Sequence, residues 1–240
     1  NDFHMGSAAE ICARDCAIPR EAQDDFAIES YKRAQSAIAE GRFREEIFPV
    51  MIKGKQGETI VEQDEEPFKT NFEKVPKLKP AFQQDGTVTA ANASKINDGA
   101  AAFVLMSADR AKALGVKPIA RVVAHASSAK KPEWFTTAPA DSIAKVLSKA
   151  GLKVQDIDLF EIHEAFAVVS LAVQKIVGIE SEKLNVNGGA VALGHPIGAS
   201  GARILVTLLH ALKQRGKKRG MAAICIGGGE ASALIVEMMS

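Results

Sequence analysis

Two histidines and one cysteine stand out because their side chains can move protons or attack a carbonyl group. His195 lies in a Gly-His-Pro sequence, His163 precedes Glu-Ala-Phe, and Cys225 precedes three consecutive glycines. A histidine titrates near neutral pH and a cysteine can form a thiolate, so the two can act as an acid–base pair or as base and nucleophile. Backbone N–H groups of residues 227–229 can stabilise an oxyanion beside them.

The surroundings of His195 are a glycine-rich loop, residues 185–201, followed directly by an apolar run. Its five glycines permit close approaches and unusual backbone conformations, and the proline after His195 keeps that residue out of the helical region. A loop that ends in a helix also presents unpaired N–H groups and the positive end of a helix dipole. The loop lacks the Gly-Lys-Ser/Thr of a P-loop and the acidic residue of a dinucleotide-binding fingerprint.

The residues alone leave the function open. A Cys/His acyl-transfer site and a phosphate-binding module fit the pattern about equally well, and a structural role for both histidines fits too. A strand cysteine such as Cys225 is more often a small hydrophobic residue. The glycines after it weaken that interpretation, because they let a ligand approach the thiol.

Composition excludes several classes of protein. The 240 residues are 47% hydrophobic and 25% charged, with a net charge of +1, which is typical of a globular protein and indicates neither nucleic acid nor a membrane as partner. No apolar run is long enough for a membrane-spanning helix. Three cysteines argue against a disulfide framework and for a reducing compartment. Cys12 and Cys16 share a helix face, but no further ligands with metal-site spacing are nearby, so we expect packing thiols and no metal.

The hydrophobic pattern predicts an α/β protein, because strands alternate with helices in the second half of the chain. We expect helices over residues 6–16, 20–40, 108–114, 140–150, 163–177 and 199–213. We expect buried strands over residues 100–106, 119–126, 157–162 and 221–226, and a last strand over 233–238 that forms a hairpin with the one before it.

Several segments together resemble the motifs of the thiolase family, in the family's order and spacing. Residues 185–203 resemble its glycine-rich signature, and Cys225-Ile-Gly-Gly-Gly is similar to its C-terminal signature. His163-Glu-Ala-Phe resembles the family's Asn-Glu-Ala-Phe, and residues 92–102 resemble a further motif. His4-Met5-Gly6 resembles the start of the helices in the loop domain.

The resemblance implies a fold and an activity. The fold is α/β, with two layered halves whose mixed five-stranded sheets are covered by helices, plus a loop domain. Residues 1–96 would be part of that loop domain, residues 97–118 the last strand and helix of the N-terminal half, and residues 119–240 the C-terminal domain. The activity is the Claisen condensation of two acetyl-CoA molecules to acetoacetyl-CoA and CoA, or thiolysis of a short-chain 3-ketoacyl-CoA. The coenzyme A thioester is the substrate, and no further cofactor is implied.

The resemblance also implies roles for individual residues. His195 would activate the nucleophilic cysteine and line an oxyanion hole, Cys225 would exchange a proton with the acetyl methyl carbon, and the Gly227 N–H would contribute to a second oxyanion hole. His163 stands where the family often has an asparagine that holds a water. Further residues would line the acyl and CoA path: Ala165 and Phe166 in the pocket, Ser94 on the pantetheine chain, Met5 crowding the acyl group, and Phe82, Ala90, Ile96 and His4 beside CoA.

Two departures from the family pattern matter. Histidine at position 163 can still orient a water, but it can also carry charge. The family's nucleophilic cysteine lies in an N-terminal segment that this sequence does not include, and Cys12 and Cys16 do not stand at its place. Because residue 1 is not methionine, we expect the chain to be the C-terminal portion of a longer polypeptide.

The family resemblance further implies a homodimer or homotetramer in the cytoplasm or the mitochondrial matrix. The alternative hypothesis is a non-catalytic module that binds acyl-CoA or serves assembly and retains a thiolase-like pocket without the nucleophile.

Overall fold

A computed structural model describes residues 4–55 and 57–239. The helices are α1 (Met5–Asp15), α2 (Arg20–Ala39), α3 (Ala108–Leu114), α4 (Ala138–Ala150), α5 (Ala167–Val177), α6 (Ala190–Leu193) and α7 (Ser200–Gln214). The strands are β1 (Val50–Gly54), β2 (Gly57–Val61), β3 (Ala120–Ala129), β4 (Leu159–Ile162), β5 (Arg219–Ile226) and β6 (Glu230–Met238).

A four-stranded mixed sheet forms the centre of the second half, in the order β3-β6-β5-β4. The strand pairs β3–β6 and β5–β6 are antiparallel, and β4–β5 is parallel. The closing hairpin β5–β6 is thus confirmed, and so is the α/β class. The sheet has four strands among the described residues where the resemblance implied five.

Helices cover both faces of this sheet, because alternate strand residues point to opposite sides. Met221 and Ala223 of β5 pack with Ile143 and Val146 of α4, together with Val173 of α5. Ala222, between them in sequence, packs on the other face with the apolar side of α7, whose buried residues are Ile204, Leu205, Leu208 and Leu212. The predicted amphipathic α7 is therefore confirmed, and its Arg203 contacts Glu161 of β4.

The two N-terminal helices, α1 and α2, pack against the helices of the second half of the chain, and α2 also contacts the glycine-rich loop. His4 begins α1, with its ring Nδ1 accepting a hydrogen bond from the Gly6 N–H at 3.0 Å. Ala27, Tyr31 and Ala34 of α2 form a buried cluster with Val191 and Ala192 of α6. Helix α2 therefore packs against the part of the glycine-rich loop that forms α6.

Residues 100–106 were expected to form a buried strand, and that prediction is wrong for this chain. The segment has no regular secondary structure and pairs with no strand among the described residues, and Val104 and Leu105 are largely exposed. An apolar β-prone sequence becomes a strand only where another backbone completes its hydrogen bonds, and no such backbone lies beside it in the described parts of the chain. The helix predicted after it, α3, is confirmed and ends at Gly115.

Strand β3 is present as predicted, but it is not buried. It lies at the edge of the sheet, where Val122 and His125 are exposed while Ala124 is buried. None of the described helices is both long and apolar enough to cross a lipid bilayer.

Candidate active site

The two histidines singled out by the sequence are in contact. The ring centroids of His163 and His195 lie 4.2 Å apart, with the rings tilted by 53°. His163 directly follows β4, and its N–H donates to the Ala223 carbonyl of β5 at 2.9 Å. His195 is held from the other side, where its N–H donates to the Lys95 carbonyl at 2.7 Å. Residues 32 positions apart thus meet because His163 directly follows β4 and His195 lies in the glycine-rich loop beside that strand.

His163 is a buried imidazole with unused hydrogen-bonding capacity. It is 1% exposed, and neither ring nitrogen has a partner within residues 4–55 and 57–239. Burial, and after it the nearby His195 and Arg203, lowers the pKa of His163 well below its usual value. The ring is therefore neutral near pH 7, and its free nitrogens can hold a water or a substrate oxygen.

His195 is half-buried and makes one side-chain hydrogen bond. Its Nδ1 lies 2.6 Å from the Oγ of Ser200, the first residue of α7. Burial, followed by the positive charge of Arg203, lowers the pKa of His195. A neutral imidazole is the form that accepts a proton, so this histidine suits a general base at neutral pH.

The Glu164 carboxylate connects the segment of His163 to the loop that carries His195. It is fully buried and accepts hydrogen bonds from the Ser30 hydroxyl at 2.8 Å, the Asn185 amide at 2.8 Å and the Val191 N–H at 3.1 Å. The same serine Oγ accepts from the Gly189 N–H at 3.0 Å. A Cβ at position 189 would lie 2.2 Å from the Glu164 carboxyl carbon, so the loop needs glycine there.

Asn185 connects the start of the glycine-rich loop to β4 through hydrogen bonds to the backbone of that strand. Its side-chain amide donates to the Ile162 carbonyl and accepts from the Ile162 N–H, both at 2.8 Å. Its own N–H donates to the Phe160 carbonyl at 2.9 Å. Asn185 has a positive φ of 46°, a conformation that asparagine tolerates better than most residues.

A buried contact between an arginine and a carboxyl group lies close to the two histidines. Arg203 of α7 donates to Glu161 of β4 at 3.0 Å, and the Glu161 side chain is 2% exposed. Burial raises the pKa of Glu161 to about 8, although Arg203 opposes the shift. Burial also raises the pKa of Glu46, a hydrogen-bond acceptor of Thr207, to about 7. The arginine is the positive charge that disfavours protonation of both histidines.

Cys225 lies near the end of β5, two residues after the strand position that binds the His163 N–H. It packs against the buried cluster that contains Ala165, Phe166 and Cys12. Burial raises the pKa of the Cys225 thiol to about 12. The resting side chain is therefore a thiol, and not the thiolate that the sequence suggested as a base.

Most residues expected along the substrate path come together. The Phe82 ring stacks on His4 at 4.8 Å and meets Phe166 edge-on at 6.0 Å. The Ser94 hydroxyl donates to the Ala165 carbonyl at 2.8 Å. Phe82, Phe166 and Ala165 belong to the cluster that contains Cys225, and this cluster runs from α1 to β5.

The remaining predicted residues are more exposed. Ile96 forms a parallel bridge with His195 but is 82% exposed. Met5, Ala90 and Gly227 are exposed and lie outside the buried cluster. Their predicted contacts with substrate stay predictions. Cys12, by contrast, is fully buried in that cluster, which confirms it as a packing thiol.

Comparison with known protein families gives two adjoining matches. The model of the thiolase N-terminal domain matches residues 1–109, and that of the thiolase C-terminal domain matches residues 116–238. The chain belongs to the thiolase family.

Individual thiolases resemble it closely. A probable acetyl-CoA acetyltransferase of Dictyostelium discoideum is 54% identical over 99% of this chain and 59% of that protein. The mitochondrial acetyl-CoA acetyltransferase of Bos taurus is 53% identical over 100% of this chain and 57% of that protein. The crystal structure of a thiolase from Ascaris suum in complex with coenzyme A superposes with a TM-score of 0.92 at 48% identity, covering 99% of this chain and 60% of that one. The chain therefore spans about 60% of the length of the thiolases it matches.

Three parts of the site were not foreseen from the thiolase-like motifs. Glu164 and Ser200 lie within the thiolase-like motifs. The motifs alone do not show that the Glu164 carboxylate accepts a hydrogen bond from α2, or that the Ser200 hydroxyl contacts His195. The pairing of Arg203 with Glu161 likewise joins positions 42 residues apart. The available signal was the type of residue: a carboxylate inside an otherwise apolar run is expected to be paired when buried.

Proposed function

We propose that this chain supplies the base and oxyanion side of a thiolase active site that transfers an acetyl group between coenzyme A thioesters. The observation that supports it most is the contact between the rings of His163 and His195, which belong to two different family motifs. The names of relatives that are more than half identical over the whole chain point to acetyl-CoA as substrate.

The proposed reaction has two halves. In the first, the Nε2 of His195 takes the proton of a nucleophilic cysteine thiol, whose sulfur attacks the thioester carbonyl; the CoA thiolate leaves and receives the proton. In the second, the thiolate form of Cys225 removes a proton from the methyl carbon of another acetyl-CoA, and that carbon attacks the acyl-cysteine carbonyl. Acetoacetyl-CoA forms, the nucleophilic cysteine leaves as a thiolate, and the proton held by Cys225 passes to it, which restores the Cys225 thiolate and the nucleophilic thiol. His163, His195 and the Gly227 N–H would stabilise the oxyanions. Cys12 lies in α1 and Cys16 directly follows that helix. Both pack in the same hydrophobic cluster, so we assign neither as the nucleophile.

The pKa values of His195 and Cys225, the two proposed acid–base groups, are shifted in opposite directions. The lowered pKa keeps His195 neutral and ready to accept a proton. The raised pKa keeps Cys225 as a thiol, which is the form that donates a proton to the departing acetyl-CoA carbanion in thiolysis. Condensation must first remove that proton. The thiol form of Cys225 therefore suits the thiolysis direction, whereas condensation needs its thiolate.

Other expectations follow from the family and are part of the proposal. Residues 1–96 form part of a loop domain, residues 97–118 contribute to the sheet of an N-terminal half, and residues 119–240 form the C-terminal domain, with five-stranded sheets in the complete fold. The exposed apolar residues 100–106 support that arrangement, because an added strand would cover them. We also propose a homodimer or homotetramer in the cytoplasm or mitochondrial matrix; the name of the bovine relative supports the latter.

The test is acetoacetyl-CoA thiolysis by two proteins: the 240-residue chain alone, and the same chain fused behind the segment that precedes the matched region in the Dictyostelium relative. We expect turnover by the fusion only, and its loss in the fusion carrying His195→Ala. Turnover by the 240-residue chain alone would contradict the assignment of the nucleophile. Binding of CoA without turnover, in a folded fusion, would instead support the non-catalytic acyl-CoA-binding module.

A further inference from the structure

We propose that Ser200 fixes the tautomer of His195, so that the ring carries its proton on Nδ1 and presents a bare Nε2 to the site. The inference deepens the proposed function, because it matters to catalysis only if His195 is the base. The Ser200 Oγ lies 2.6 Å from His195 Nδ1 and also donates to the Pro196 carbonyl at 3.1 Å. Ser200 is 1% exposed, so bulk water does not compete for either contact.

The number of protons on the Ser200 hydroxyl decides which group donates in its hydrogen bond with His195. A serine hydroxyl has one proton to donate and lone pairs that accept. The Pro196 carbonyl can only accept, so the hydroxyl proton is used in that contact. The short contact with His195 is then a hydrogen bond only if Nδ1–H donates to Oγ. In the other tautomer, the hydroxyl has to leave the carbonyl, and one of the two contacts is lost.

The backbone fixes the positions of the Pro196 carbonyl, the Ser200 hydroxyl and the His195 ring relative to one another. The Pro196 carbonyl also accepts from the N–H groups of Ala199 and Ser200, at 2.7 and 2.9 Å, and so forms the first turn before α7. The N–H of His195 is fixed to the Lys95 carbonyl. The hydroxyl therefore meets the ring because the same turn that starts the helix carries both residues.

The fixed tautomer has a chemical consequence. The ring nitrogen that carries the proton is set by the hydrogen bond that the other nitrogen makes. With the proton held on Nδ1, Nε2 is a lone-pair acceptor that can take the proton of a thiol. Once it has done so, Nε2–H is a donor for the oxyanion. Ser200 is thus a positioning residue that acts through His195.

Nitrogen-15 NMR of the histidine rings tests the inference without any assay of turnover. The spectrum distinguishes the two tautomers, and the variant His195→Gln identifies the signals of His195. We expect Nδ1–H in the wild-type chain at neutral pH and a mixture with Nε2–H in Ser200→Ala. The matched control is Ser170→Ala, since the buried Ser170 hydroxyl of α5 has no hydrogen-bond partner in the described parts of the chain. An Nε2–H tautomer in the wild type overturns the inference, and so does an unchanged tautomer in Ser200→Ala.

Kinetics of the active fusion described above provide the second readout. We expect Ser200→Ala to lower kcat by about 10- to 100-fold with little change in KM, by analogy with the loss found when the hydrogen-bond partner of a metal-ligating histidine is removed. Ser200→Thr, which keeps the hydroxyl, should restore most of the rate. If Ser200→Ala does not fold, the wild-type tautomer and the Ser200→Thr spectrum still decide. If the fusion is inactive while the wild-type tautomer is Nδ1–H, the proposed function fails and the inference about Ser200 stands.

Discussion

The Glu164 carboxylate accepts a hydrogen bond from the backbone N–H of Val191 at 3.1 Å, in a part of the fold with no access to solvent. Glu164 follows His163, and Val191 lies four residues before His195. This one bond, with those from Ser30 and Asn185, joins the segments that carry the two rings. Three donors directed at one carboxyl group favour its ionised form, whereas burial raises the pKa of Glu164. We take the ionised form as the one present, because all three neighbours donate.

Glu164→Gln should destabilise the protein by about 2 kcal/mol, because the new amide turns an N–H₂ toward a donor and leaves buried groups unpaired. Urea denaturation followed by circular dichroism measures this. The matched control is Glu182→Gln at an exposed carboxylate, where a change within about 0.5 kcal/mol is expected. Equal stability of the two variants would show that Glu164 is not a structural centre of the site.

His163→Asn should make the stability less sensitive to acid. The folded-state pKa of His163 is lowered, so protonation favours the unfolded chain, and its contribution is lost as pH falls below the unfolded value of about 6.5. Between pH 7.5 and 5.5, the wild type should therefore lose about 1.4 kcal/mol more than the variant. Urea denaturation at the two pH values measures the difference. His125→Asn on the exposed edge of β3 is the control, and it should lose as much as the wild type.

The extent to which the sequence predicts this protein differs between its parts. Helix α7 and the β5–β6 hairpin were predictable, because their residues pack against near neighbours and their periodicity reflects this. Residues 100–106 have the same strand-like composition, but a strand needs a partner that local sequence does not reveal. The contact of Ser30 with Glu164, across 134 positions, has no local signal at all. The residue types and their neighbours drew attention to His163 and His195, but only the fold shows that the two rings are in contact.

Cys225 should react slowly with iodoacetamide, because alkylation requires the thiolate and its pKa is raised to about 12. At pH 8 about one molecule in ten thousand carries the thiolate, against roughly a quarter of free cysteine, so we expect about a thousandfold slower labelling at equal access. Mass spectrometry of peptides after timed labelling measures it, with free cysteine as reference. The rate should continue to rise up to pH 10. A plateau below pH 8 would contradict both the raised pKa of Cys225 and the proposed proton-donor role of its thiol in thiolysis.

Gly194→Ala should displace His195 and destabilise the fold by about 1–3 kcal/mol, because two separate constraints act on this position. Gly194 has φ of 98°, which residues with a side chain rarely adopt, and a Cβ there would lie 2.2 Å from the Asn97 Oδ1. Gly198→Ala in the same loop is the matched control: a Cβ there meets no atom within 4 Å, so its stability should stay near that of the wild type. Adding Asn97→Ala to Gly194→Ala separates the two constraints, since it removes the overlapping amide group, keeps only the close approach of the residue 97 Cβ at 3.1 Å, and leaves the backbone strain. We expect the double variant to recover part of the loss of stability measured by urea denaturation. Full recovery would show that the side-chain overlap, and not the backbone conformation, is what requires glycine before His195.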